Sequence, residues 1–261
     1  MDSDATPRIR LYVAGPLVAG AAVDLTADQA HYLGRVMRLG PGDRLRLFNG
    51  RDGEWSAAVD RLAKGGGAAR AETLLRPQVP EPDVWLVFAA LKKTPMDFVA
   101  EKATELGVAR LIPVMTERTA VGRVNTDRLR ANAVEAAEQC GRLTVPAVDP
   151  ARPLRQVLAD WPAGRTLFVA DETGAGQPLS SALAAALGQT GPAPHAFLIG
   201  PEGGHAPAEL DALDNLPFVV KIGLGPRILR AETAALTVLA ARLVLAPHGA
   251  AGDPNEEPPK A

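Results

Sequence analysis

The alternation of polar and apolar residues changes character once along this chain. Over residues 8–76 the apolar positions recur two apart in short runs, the period of strands with one buried face. Those runs are "RIRLYV", "PGDRLRLFNG", "EWSAAVDRL" and "AARAETLLR". "ADQAHYLGRVMRLG" interrupts them with a helical spacing that ends at Gly40, and "RDG" and "KGGG" supply turns. Short strands at this spacing predict a small β-barrel. From Val84 onward, near-continuous apolar runs alternate with amphipathic stretches: "VWLVFAAL" then "MDFVAEKATELG", "ARLIPVM" then "TDRLRANAVEAAEQCG", "LTVPAV" then "LRQVLADW". "TLFVAD" then "LSSALAAALG", "HAFLIG" then "PAELDALDN", and "FVVKIG" then "ETAALTVLAARLVLA" continue the series. Apolar strands with helices between them predict a parallel sheet covered on both faces, an α/β domain. The proline-rich "RPQVPEPD" divides the two textures. The predicted organisation is a barrel over 1–76, a linker over 77–83, an α/β domain over 84–248 and a polar, disordered tail over 249–261.

Composition narrows the classes. Of 261 residues, 47 % are hydrophobic and 22 % charged, which is the profile of a globular chain. No apolar run has the length of a membrane span, and no apolar signal core follows the N-terminus, so the expected setting is cytoplasmic without a membrane partner. The one cysteine, Cys140, excludes an internal disulfide and a cysteine-cluster metal site. It is read as helix packing. His31, His195, His205 and His248 have no ligand spacing, so no metal is expected. The net charge of −2 does not point to nucleic acid. Yet Arg35, Arg38, Arg44, Arg46 and Arg51 fall close together, either as a solvated polar face or as a basic patch.

Two corners carry the candidate chemistry. "LIGPEGGHAP" (198–207) and "KIGLGPRILRAET" (221–233) each run an apolar strand into a glycine-proline turn. In a parallel sheet, ligands bind beyond the carboxyl ends of strands, where such corners lie. Gly200, Gly203 and Gly204 are expected to bring the backbone close to a ligand without a Cβ in the way. Pro201 and Pro226 stiffen the turns. Neither corner is a dinucleotide fingerprint or a phosphate loop, and a plain turn after a strand is the bland alternative. In the second corner, Glu232 or Thr233 would serve the N-terminus of the following helix. Alternatively Arg227 or Arg230 holds an anion beside a carboxylate.

Taken together, "LIGPEGGHAPAEL" and "IGLGPRILRAETAAL" resemble the SPOUT methyltransferases, and closely the RsmE family. "HYLGRVMRLGPGDRLRLFNG", "EKATELGVARLIPVMTERT" and "EAAEQCGRLTVPAV" extend the resemblance over residues 8 to about 246. The resemblance implies a PUA-like RNA-binding barrel and a SPOUT domain whose last elements form a trefoil knot. It implies a homodimer, and S-adenosylmethionine-dependent methylation of uracil N3 in 16S ribosomal RNA of the small subunit. The cofactor site would use Leu198, Ile199, Gly200, Gly203 and Gly204 from the first corner, and Ile222, Leu224, Gly225 and Leu229 from the second. The strand end "VADETG" (169–174) would supply another wall, with Glu172 and Thr173 among its polar residues. Arg35 and Arg38 would contact phosphates. Arg118, with Glu138, Gln139 and Arg142, would line the RNA side.

The chemistry so implied needs loss of a weakly acidic N3 proton and stabilisation of charge on the uracil oxygens. Arg230, permanently charged and forked, is assigned to the charge, and Glu232 to the proton. His31 and His205 are read as structural or solvated. Two other readings stay open: a SPOUT ribose 2′-O methyltransferase, and a non-catalytic RNA-binding assembly factor. A nicotinamide dehydrogenase is excluded, since no GxGxxG follows an early strand.

Overall fold

A computed structural model of the chain describes residues 7–174, 176–188 and 194–246. The tail expected over 249–261 lies outside the described residues. These residues divide into two compact units. One holds the residues up to Pro80 together with Ala137–Val145, the other Glu81–Ala136 and the residues from Pro146 onward. The expected division placed 137–145 in the α/β domain, and here the structure differs.

In the first unit, strands β1 (Arg10–Tyr12), β2 (Ala22–Leu25), β3 (Arg44–Phe48), β4 (Glu54–Ala63) and β5 (Gly66–Arg76) form one sheet in the order β1-β3-β4-β5-β2. β1 pairs with β3 in parallel, and the other pairs are antiparallel. The alternating residues Leu45, Leu47, Ala57, Val59, Ala69 and Ala71 share one core with Leu11 of β1 and Val23 and Leu25 of β2. The sheet therefore wraps a single apolar filling. β2 is not announced by the sequence, because "AVDL" offers only two alternations between turns. Helix α1 (Ala27–His31) starts in a capping box, Thr26 with Gln29. It passes into a π-helical turn, Tyr32–Val36, short of the predicted end at Gly40.

A buried carboxylate explains why residues 137–145 belong here. Glu54 is 1 % exposed and takes Arg10 Nε at 2.5 Å and Arg76 Nε at 3.0 Å. Arg10 spends its other donors on the carbonyls of Ala137, Glu138 and Arg142, at the C-terminal end of the helix Thr126–Cys140. A guanidinium suits that end, where carbonyls lack helical partners. Arg76 adds a bond to the Gly141 carbonyl, and the Tyr12 N–H donates to Glu138 Oε1. Leu143 and Ala137 pack on Phe48. This use of Leu143 shortens the strand predicted from "LTVPAV" to Ala147–Val148.

In the second unit the strands are β6 (Val84–Ala89), β7 (Arg110–Met115), β8 (Ala147–Val148), β9 (Arg152–Pro153), β10 (Thr166–Ala170), β11 (Gln177–Pro178), β12 (His195–Ile199) and β13 (Val219–Gly223). The helices are α2 (Lys93–Glu105), α3 (Thr126–Cys140), α4 (Leu154–Ala159), α5 (Leu179–Leu187), α6 (Pro207–Asp214) and α7 (Ala231–Leu245). The sheet order is β11-β13-β10-β12-β6-β7-β8, with β9 also on β7, and every pair is parallel. Alternate residues serve opposite faces. Leu86, Phe88, Phe168, Phe197 and Ile222 pack under α2, α5 and α7. Val87, Ile112, Leu167, Val169 and Leu198 pack under α4 and α6. Each fully buried side chain of this kind contributes about 1.5–3 kcal/mol, enough to hold the strand ends as a rigid frame.

One connection is unusual. β10 and β11 lie on opposite sides of β13, so the chain passes from one flank of β13 to the other between Ala170 and Gln177. A Cβ on Gly176 would stand 2.4 Å from the Ile222 carbonyl carbon, so only glycine permits this backbone crossing.

Candidate active site

β10, β12 and β13 are adjacent and parallel, so their carboxyl ends lie on one edge of the sheet. The segments that leave them, residues 171–174, 200–204 and 224–229, enclose a cavity of about 340 Å³. That volume lies in the range of small-molecule sites, about 300–1,000 Å³. The floor comes from Ala170, Ile199 and Gly223 and from Ala231 and Ala234 of α7. Both corners singled out in the sequence thus meet at one site.

Of the residues assigned to the cofactor, Ile199, Gly200, Gly204, Leu224, Gly225 and Leu229 line this cavity, as do Glu172 and Thr173. Leu198, Gly203 and Ile222 do not. Leu198 and Ile222 are fully buried strand residues in the cores of the two faces. Gly203 turns its carbonyl to Arg118, whose Nη1 donates to it at 2.9 Å.

The glycines act differently from the expectation that they clear the way for a ligand. A Cβ on Gly200 would stand 3.0 Å from Nε2 of His205. A Cβ on Gly204 would stand 1.9 Å from Glu172 Oε1, and this residue also has φ +68°. Both make room for protein side chains. Gly225, at φ +104° with nothing within 4 Å of its Cβ position, fits the original argument.

Two groups give the site its polarity: Asp171, within the strand end expected as a wall, and His205, read as structural or solvated. Asp171 is 7 % exposed and lines the cavity. Its Oδ1 accepts the Thr173 N–H at 2.8 Å, while Oδ2 is buried with no hydrogen-bond partner. His205, behind Gly200, is 2 % exposed, and neither ring nitrogen has a hydrogen-bond partner. Burial pushes its pKa down, against the opposing pull of Glu209, Glu172 and Asp171. Glu209 Oε2 stands 3.9 Å from His205 Nδ1. Its oxygens accept the N–H groups of Ala206 and Glu117, which ties the start of α6 to the loop after β7. A strand run into a corner signals neither role: only the fold shows that Asp171 and His205 sit behind the glycines.

The residues assigned to chemistry lie at the rim. Arg230 is exposed, in extended conformation, one residue before α7. Glu232 is half-buried in the first helical turn. Neither lines the cavity, whereas Arg227 does. Thr233 does not cap the helix. Arg230 holds the capping position without a side-chain bond.

Among the assigned RNA contacts, Arg35 and Arg38 are exposed on and after the π-helical turn of the first unit. Arg38 has φ 58°, the only positive value outside glycine among the described residues. Arg142 Nε donates to Thr144 Oγ1, and Glu138 serves Tyr12, so the "EQCGR" segment is engaged in the packing of the first unit. Cys140, read as packing, is exposed at the last residue of α3. Among the described residues no helix is long and apolar enough to cross a membrane, and no group of three His, Cys, Asp or Glu is placed to hold a metal ion.

Comparison with known proteins agrees with this geometry. The family described as RNA methyltransferase domain matches residues 79–243, and that described as RNA methyltransferase PUA domain matches 25–66. The chain is 31 % identical to the ribosomal RNA small subunit methyltransferase E of Rickettsia conorii, over 92 % of this chain and 96 % of that one. It is 33 % identical to the protein of that name from Synechocystis, over 88 % and 76 %. Its fold matches that of the ribosomal RNA small subunit methyltransferase E from Neisseria gonorrhoeae bound to S-adenosyl methionine. That match has a TM-score of 0.77 and 30 % identity, over 91 % of this chain and 98 % of that one. The chain belongs to the RNA methyltransferase domain family, in the group of ribosomal RNA small subunit methyltransferases E.

Proposed function

We propose that this protein methylates N3 of a uridine in 16S ribosomal RNA of the small subunit, with S-adenosylmethionine as methyl donor. The observation that carries the reading is the cavity that joins the two corners at the carboxyl ends of β10, β12 and β13 in a chain of this family. Its size, the open space over Gly225 and the unpartnered buried Asp171 Oδ2 fit a compact ligand with hydrogen-bond donors. The cofactor supplies an electrophilic methyl group on a sulfonium. Ile199, Leu224 and Leu229 offer it apolar walls, and the backbone of Gly200, Gly204 and Gly225 offers polar contacts. Arg230, exposed beside the cavity, would face the base and balance negative charge on its oxygens. Glu232, in the first turn of α7 at the same rim, would take the N3 proton.

In this reading the arginines Arg35, Arg38 and Arg142 of the first unit contact RNA, and Arg118, bound to the Gly203 carbonyl beside the cavity, approaches the RNA near the reacting base. The passage of the chain across β13, with Gly176 against Ile222, belongs in this reading to the trefoil knot. The protein acts in the cytoplasm as a homodimer. The apolar residues Phe98 on α2 and Leu243, Val244 and Leu245 at the end of α7, 39 %, 41 %, 72 % and 48 % exposed, support an interface there. Calorimetric titration with S-adenosylmethionine tests the reading: saturable binding with a micromolar Kd is expected. No binding would contradict it and favour a non-catalytic RNA-binding role.

A further inference from the structure

The charge of the cavity is lopsided. Asp171, Glu172 and Glu202 line it against the single guanidinium of Arg227. Glu172, Glu202 and Arg227 are exposed to solvent, which weakens their fields. Asp171 is not. It sits at the carboxyl end of β10, 7 % exposed, with one oxygen fixed by the Thr173 N–H and the other unpartnered. An unpartnered buried oxygen is costly, so a carboxylate kept there fits a ligand that brings a donor or a positive charge. The neighbouring cation Lys221 lies within the field of Asp171 but is held by Asp214 at 2.5 Å, and burial works against a charge on the His205 ring.

This bears on the two forms of the cofactor, and it rests on the function proposed above. S-adenosylmethionine carries a sulfonium. After the methyl group leaves for the nucleophilic nitrogen, the sulfur keeps the electron pair of the broken bond as a neutral thioether, and the N3 proton goes to a base. Substrate and product cofactor thus differ by one methyl group and one positive charge.

We propose that Asp171 makes the cavity selective for charge, favouring the cationic cofactor over its neutral product and so easing product release. Arg227 and the carboxylates Glu172 and Glu202 tune the same field from the rim. Within a few ångströms and away from bulk water, a single charge pair is worth about ten-fold or more in affinity.

The test is calorimetric titration of three ligands: S-adenosylmethionine, S-adenosylhomocysteine and sinefungin, whose amine restores a positive charge near the missing sulfonium. Wild type is compared with Asp171→Asn, which keeps the oxygen for the Thr173 N–H but removes the charge. The expected result is a loss of roughly ten-fold for the two cationic ligands and little change for S-adenosylhomocysteine. In wild type the two cationic ligands should bind about ten-fold or more tightly than S-adenosylhomocysteine. That comparison needs no variant. Equal losses for all three ligands, or a wild type without that preference, would overturn the proposal. A wild type that binds none of the three would instead overturn the proposed function.

Discussion

At the residue scale, the first corner is shaped by what lies behind it. Gly204 gives its Cβ space to the Glu172 carboxylate and has a left-handed φ of +68°. Gly204→Ala should therefore cost about 1–2 kcal/mol of stability from backbone strain. It should also displace Glu172 from the cavity wall, and cofactor affinity should fall. Urea unfolding and calorimetry measure the two effects. His205 predicts a pH dependence. Burial lowers its pKa in the folded state, so the unfolded chain takes up the proton first. Stability from this group is full above about 6.5 and is lost as pH falls from there toward the folded value. His205→Phe should flatten the stability profile as pH falls below about 6.5. An unchanged slope would contradict this. Arg230→Ala and Glu232→Gln act on other terms. Because neither residue lines the cavity, cofactor binding should persist while turnover falls by about 100-fold or more. Full turnover in both would remove them from the chemistry.

At the element scale, the strand ends and helices near the site follow from patterns of apolar residues, and most of them were legible. "HAFLIG" and "FVVKIG" read as buried strands, and β12 and β13 occupy them. What escaped was set by pairing between distant segments. β2 is too short to announce itself, and β11 exists because the chain crosses β13. The end of α3 was read as part of the α/β domain. Its place is decided instead by Arg10, Arg76 and Glu54, residues 50 or more positions away in sequence. The same limit hid the burial of Asp171 and the place of His205 behind Gly200, since no local signal marks a carboxylate or imidazole that packs there. The Glu54 network is testable. Burial would raise its carboxyl, and the hydrogen bonds from Arg76 and Arg10 more than reverse this, leaving it below the usual carboxylate range. A depressed value means stability that is present above about 4.3 and lost as pH falls through the folded value. Glu54→Gln, which leaves Arg10 buried without a counter-charge, should cost about 3–5 kcal/mol in the first unit. Chemical unfolding followed by tryptophan fluorescence, with Trp55 on β4, provides the measurement.

At the scale of the whole molecule, a nearly neutral chain is assigned to RNA. The net charge of −2 gives no hint of that, and the arginines after α1 do. Arg35→Ala and Arg38→Ala should weaken RNA binding and lower its salt dependence while leaving cofactor affinity intact. The exposed apolar end of α7 makes the homodimer equally open to test. Val244→Glu places a charge in the proposed interface and should shift sedimentation from dimer to monomer.

The central claim is the position of the methyl group. Small-subunit RNA from cells lacking this protein, incubated with the purified enzyme and S-adenosylmethionine and then digested to nucleosides, can be read by mass spectrometry. The account predicts one 3-methyluridine per RNA, absent without enzyme. A 2′-O-methylated nucleoside, or no methylated product from a correctly folded protein that binds the cofactor, would contradict it.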